Sequence, residues 1–274
     1  MKQNVIKEDI SWEIMVLISP KLIYAKVDKN NLLRKIFEIL ENDHFVQEGL
    51  KMANINAVTR LNYNDHGVMH SRIVAGSALE MLDILLSRGF TPSSVKAGIG
   101  NIDDAKLIVL AGAYLHDIGN AIHRKYHNLH GYILADKVLD KVLPLIYNDR
   151  RKVEDIKFEI LHAIFSHDEE VNALSLEAGI VKIADGTDMA EGRARIPYKR
   201  GKLDIHAFSA LAIKTVEVIE GAKRPIEIVV DMENEAGVFQ IEEVLGKKIK
   251  TSGISKLVKV TALKKSVKLK ELYL

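Results

Sequence analysis

Ten histidines and no cysteine set the chemistry open to this chain. The most informative pair is His116-Asp117. It stands at the end of the run Leu107-Ile108-Val109-Leu110-Ala111-Gly112-Ala113-Tyr114-Leu115, and Gly119 then closes the stretch. Nine residues without a charge read as a buried helix. A His and an ionisable Asp delivered into such an interior are expensive unless a cation meets them. A divalent metal does so directly, because imidazole nitrogen and carboxylate oxygen are its usual ligands. A buried Asp that hydrogen-bonds a neighbour or a helix N-terminus is the plainer alternative, and for an isolated His-Asp dipeptide it would prevail. The remaining histidines decide between the two.

His70 lies in Asn62-Tyr63-Asn64-Asp65-His66-Gly67-Val68-Met69-His70-Ser71-Arg72-Ile73-Val74. There Asn, Asp and Gly mark a turn leading into a helix that runs to about Leu86. His123, His127 and His130 follow; if helical, they fall within about 60° of one face. Beside Arg124 and Lys125 they read either as a solvated basic patch or as a metal ligand with phosphate-binding groups next to it. A helix beginning near Lys152 ends in Ser166-His167-Asp168. His162 is offset from His167 by about 140° on such a helix, so the two do not serve one metal. A further helix from Ser175 or Glu177 carries Asp185 at its inner end, with Asp188 on the same side. Arg193, Arg195, Lys199 and Arg200 come next.

The elements that must position these groups are mostly helices. Helical patterns cover Leu32–Leu40, 44–62, the segment after His70, 107–115, 132–147, 152–166 and 177–185, and Gly98–Asp104 reads as a polar loop. From about Asp204 the pattern changes: Ala212–Ile219 and Ile226–Met232 alternate as strands around a Gly221–Pro225 turn. Phe239–Ile249 suggests a helix and Leu257–Leu263 another strand, a ββαβ order. The expected architecture is therefore mainly α, a helical domain over 1–203 with a small α+β domain appended over 204–274.

Bulk composition narrows the function class. Lys+Arg of 39 against Asp+Glu of 37 gives a net charge of +2, which predicts neither a nucleic-acid coat nor a membrane-surface habit. The Lys-rich stretch from Lys247 to Lys270 reads as a solvated face. Without cysteine there is no disulfide, thiolate zinc site or thiol nucleophile, so a metal must be held by His and carboxylates. The residues before Pro20 contain acids and no signal-peptide pattern, and no uncharged run is long enough to span a bilayer, so a cytoplasmic protein is expected. No Walker loop, Rossmann glycine pattern or Gly-x-Ser-x-Gly is present.

In the order His70, His116-Asp117, later histidines and Asp185, the chain resembles the HD superfamily of metal-dependent phosphohydrolases. The words Asp-His-Gly-x-x-His, His-Asp-Ile-Gly and Ala-Asp carry the likeness over roughly residues 62–198. The resemblance implies an HD helical bundle and a hydrolase of phosphate esters or phosphoanhydrides acting on a small, nucleotide-like substrate. It implies a first metal on His70, His116, Asp117 and Asp185, and a second on Asp117, His127 and His167. His123, His130 or His162 remain alternatives for His127 or His167. Mn²⁺, Fe²⁺, Mg²⁺, Ni²⁺ and Zn²⁺ all suit such a set. Arg124, Lys125, Arg193 and Arg195 become phosphate contacts, since Arg forks match phosphate oxygens. Asp188 or His123 would orient water or protonate the leaving group, with Asp117 central to catalysis. Two departures matter. Many relatives carry Lys after His-Asp-x-Gly where this chain has Asn120, so that cation must come from elsewhere. The Gly-Tyr-Pro signature of cyclic di-GMP phosphodiesterases is missing after His167-Asp168. A mononuclear nucleotidase and a non-catalytic nucleotide sensor are the rival readings, and edge-strand pairing into a homo-oligomer is open.

Overall fold

The computed structural model describes residues 15–190 and 205–273. After β1 (Val16–Leu17) come α1 (Leu22–Val27), α2 (Asn31–Asn42), α3 (His44–Asn54), α4 (Val68–Ser87) and α5 (Ser93–Lys96). Then follow α6 (Ile102–Leu115), α7 (His127–Val142), α8 (Arg150–Ser166) and α9 (Leu176–Thr187). Beyond these, α10 (Ile205–Ala212) leads into β2 (Ile213–Glu220) and β3 (Ile226–Met232). A helical crossover ends in α11 (Gly246–Lys250), and β4 (Val258–Lys264) and β5 (Val267–Leu272) complete the order. The chain is mainly α with a smaller α+β segment, as its patterning predicts.

The helix α6 is the centre of the body. It packs against α2, α4, α8 and α9, and every residue from Leu107 to Asn120 is buried. Each fully buried Leu, Ile or Val contributes roughly 1.5–3 kcal/mol, which offsets the expense of taking His116 and Asp117 out of water. The helix starts earlier than its apolar run suggests. Asn101 accepts from the Asp104 backbone while the Asp104 side chain accepts from the Asn101 backbone, a reciprocal cap that converts part of the expected polar loop into the first turn. Ser175 caps α9 in a similar manner, its side chain accepting from the Ala178 backbone.

The helix expected over 44–62 is divided. After α3 the chain continues as a π-helical turn, Ile55–Arg60. The extra residue per turn swings Asn56 inward, where its amide donates to the carbonyls of Asn120 (2.7 Å) and Ala121 (3.0 Å). That contact ties the π-turn to the segment following the His-Asp pair.

The five strands lie in the order β1-β2-β3-β4-β5. All neighbours are antiparallel except β3 and β4, which are parallel and joined by the crossover Gln240–Lys250. The ββαβ expectation is met, with one strand added at each edge. Two residues are too few for β1 to register as a strand pattern, and β5 alternates little because four of its six residues are exposed. One hydrophobic cluster holds Val74 and Leu82 of α4 together with Val216, Ile228 and Val260 of the sheet.

Gly119 sets how closely α7 approaches the turn after α6. A Cβ there would stand 1.9 Å from the His127 carbonyl oxygen and 2.3 Å from the Gly131 nitrogen, both backbone atoms that cannot step aside. Gly119→Ala is expected to destabilise the fold by about 3 kcal/mol or more. Thermal denaturation of the purified variant checks this, and a wild-type Tm would contradict the close approach.

Candidate metal centre

Each group reaches the centre from a different element. The helix α6 ends at Leu115, so His116 is its C-cap and Asp117 occupies the turn before the 3-10 helix Ile118–Ala121. His70 comes from the first turn of α4 and His127 opens α7. His167 caps α8, Asp185 sits in the last turn of α9 and Asp188 caps that helix. All are buried, with His70 and His116 fully so.

Three imidazoles have Nδ1 committed as a donor. His116 donates to the Ala113 carbonyl (2.7 Å), His167 to the Ile164 carbonyl (2.5 Å) and His70 to Asp188 Oδ2 (2.6 Å). These bonds assign the tautomer and leave each Nε2 as a lone pair turned inward. The inward atoms converge on Asp117. Its Oδ2 lies 3.4 Å from Nε2 of both His70 and His116. Its Oδ1 lies 3.7 Å from Nε2 of His127 and 3.8 Å from Nε2 of His167. Asp185 Oδ1 is 3.1 Å from His70 Nε2 and 3.6 Å from His116 Nε2. Nε2 atoms also face one another, at 3.2 Å for His70 and His116 and 3.0 Å for His127 and His167. Lone pairs that close repel unless a proton or a cation lies between them. The donor set therefore fits a divalent ion, and His70-His116-Asp185 and His116-Asp117-His167 each bring ligand atoms within 4.8 Å of one another.

The electrostatics divide along the same line. Burial pushes the Asp117 carboxyl up, yet His116 and His66 outweigh it and hold the group well below the usual carboxylate range. Asp185 is also held well below, because Lys248 and His116 overcome its burial. Burial lowers His116 too, but Asp117 and Asp185 win and raise it. On the other side, burial and then His127 push His167 well down, and burial with Arg124 pushes His127 down to about 4. Neutral imidazoles are the form a metal binds.

Several expected residues lie elsewhere. The helix α7 begins at His127, after Tyr126 in a left-handed conformation (φ 61°), so His123 does not share its face. His123 is exposed, and its Nδ1 accepts from the Lys125 backbone at 2.9 Å. His130 takes no part in the cluster. His162 lines a separate apolar pocket with Leu129, Phe158 and Phe165, and its Nε2 accepts from the Leu174 backbone. Arg124 reaches within 3.9 Å of Asp117 Oδ1 and, with Lys125, borders the cleft above the cluster. Arg193 and Arg195 fall outside the described residues. Asn120, in place of a lysine, donates to Asp117 Oδ1 at 2.7 Å.

Two residues escaped sequence reasoning. His66 Nδ1 stands 2.6 Å from Asp117 Oδ2, and only its place four residues before His70 hinted at this. Lys248 belongs to the stretch read as a solvated face, yet its ammonium meets Asp185 Oδ2 at 2.7 Å and donates to the His167 carbonyl at 3.1 Å.

The HD domain model matches residues 67–190, and the chain belongs to the HD-domain family, part of the metal-dependent phosphohydrolase superfamily. Among curated proteins it is similar to uncharacterized protein MJ1020 of Methanocaldococcus jannaschii, at 47% identity over 243 residues, 89% of this chain and 88% of that one. No solved structure matches. Among the described residues no helix is long and apolar enough to cross a membrane.

His127 titrates near 6.5 in an unfolded chain and at about 4 in the folded one. Between those values the unfolded chain holds the extra proton, so this group's contribution to stability falls as pH drops. The effect amounts to at most about 3 kcal/mol. In metal-free protein, His127→Gln is expected to shrink the loss of stability between pH 7 and pH 5, measured by urea denaturation. An unchanged pH dependence would contradict a neutral, buried His127.

Proposed function

We propose that the chain hydrolyses a phosphate ester or phosphoanhydride of a small, nucleotide-like molecule at a two-metal centre. One observation carries the reading: the two oxygens of Asp117 face two different sets of imidazole Nε2 atoms. In this reading His70, His116, Asp117 and Asp185 hold one ion, and Asp117, His127 and His167 hold the other. Such a pair, when bound, lowers the pKa of a water and stabilises the leaving oxygen of an in-line displacement. Five imidazoles around Asp117, counting His66, make the set nitrogen-rich, which favours Mn²⁺, Fe²⁺, Ni²⁺ or Zn²⁺ over Mg²⁺.

The surrounding side chains have distinct tasks. Asp188 holds the His70 ring through Nδ1, and Asn120 and His66 hold Asp117 through opposite oxygens. Arg124 and Lys125 take the substrate's phosphates. The cleft, about 970 Å³, lies in the range of small-molecule sites. Tyr63 and Tyr126 line it, and their half-exposed rings suit stacking against a planar base. His123 is not among the residues lining this cleft, so the proton-transfer role open to it on sequence has no support here.

Metal analysis of the reconstituted chain, with a panel of nucleotides and p-nitrophenyl phosphate, tests the proposal. Two equivalents of metal and metal-dependent release of phosphate or alcohol are expected. Asp117→Ala is expected to lose bound metal and to cut turnover about a thousandfold. One equivalent with full activity would reduce the centre to a mononuclear one. Tight nucleotide binding without turnover would make the protein a sensor.

A further inference from the structure

The crossover between β3 and β4 does more than connect them. Gln240, Val244 and Lys248, spaced four residues apart, share one face of the helical run Gln240–Lys250, and all three line the cleft. The run passes close to α9, where a Cβ on Gly186 would stand 3.0 Å from Leu245 Cδ1 and 3.2 Å from Lys248 Cδ. Lys248 is thereby carried down beside Asp185, with its side chain only 12% exposed.

An ammonium has three protons to donate and no lone pair. Lys248 donates one of them to the His167 carbonyl at 3.1 Å and forms an ion pair with Asp185 Oδ2 at 2.7 Å. Among the described residues no other acceptor meets the ammonium, although a nearly buried cation gains strongly from a further acceptor. Asp185 turns its other oxygen, Oδ1, to His70 and His116. One carboxylate thus joins the cluster to Lys248, placing the ammonium at the edge of the cluster on the cleft side. Lys125, by contrast, is exposed and Arg124 partly so.

We infer that Lys248, supplied by the C-terminal segment, is a substrate-binding residue whose ammonium also donates to an anionic oxygen of the substrate's phosphate. The inference rests on the phosphohydrolase reading and adds that the α+β segment completes the site.

The test uses the full chain loaded with Mn²⁺ and inorganic phosphate as the probe. Metal content, Tm, phosphate affinity by calorimetry and p-nitrophenyl phosphate hydrolysis are measured for wild type, Lys248→Met and Lys248→Arg. Lys248→Met is expected to keep its metal and to bind phosphate about 10- to 100-fold more weakly, with Lys248→Arg recovering most of the loss. Wild-type phosphate affinity in Lys248→Met overturns the inference while leaving the hydrolase reading intact. Loss of metal in Lys248→Met, with restoration by Lys248→Arg, also overturns it and assigns Lys248 to holding Asp185. A wild-type chain that neither binds phosphate nor hydrolyses any ester sinks both readings. Should Lys248→Met fail to fold, wild-type protein answers the question. Phosphate should slow acetylation of Lys248 relative to exposed Lys247, read by peptide mass spectrometry, and equal rates with and without phosphate overturn the inference.

Discussion

A buried carboxylate that faces imidazoles through both of its oxygens is the constraint on which this structure turns. Asp117 is 1% exposed, and without positive charge around it such a group would be costly to ionise. The imidazoles of His66 and His116 hold it below the usual carboxylate range on one side, and Arg124 lies 3.9 Å from its other oxygen. Everything nearby serves to keep the arrangement narrow. The backbone carbonyls of Ala113 and Ile164 orient two of the rings, and Asp188 orients a third. Two glycines, 119 and 131, let α7 lie against the turn that carries the carboxylate. The hydrophobic packing of α6 holds that turn in place.

The helical body alone does not enclose the cluster. The crossover between parallel strands forms one wall of the cleft over it, so the position of Lys248 depends on the register of β3 against β4. Sheet and helices consequently act as one unit around the cleft, and most of their buried apolar residues belong to one cluster, with Ile219, Val229 and Leu263 in a second on the sheet.

Much of this was legible in the chain, for a physical reason. His116-Asp117 stood out because an apolar run ending in an ionisable pair is a local contradiction, and such contradictions are resolved at sites. Helix α2 could be read because its burial follows a period of 3.6 residues, and α6 because its apolar run carries no charge. Other features left little trace. His66 precedes α4, so no helical face assigned it a direction. Lys248 is 63 positions from Asp185 and sits beside Lys247, which does pair at the surface with Glu243. Adjacent identical residues with opposite fates cannot be separated by composition. His123 misled because a helical phase was extended across the left-handed residue Tyr126, which breaks it.

The sheet is assembled from distant parts of the chain: Val16 of β1 pairs with Val218 of β2. During synthesis β1 must therefore wait for a partner made some two hundred residues later. By then the imidazoles and carboxylates of the helical body have all been synthesised, while Lys248 and its crossover have not. A nascent chain thus exposes its ligands to the surrounding solution before the wall that carries Lys248 arrives, and an ion can enter from a face wider than the cleft of the finished protein.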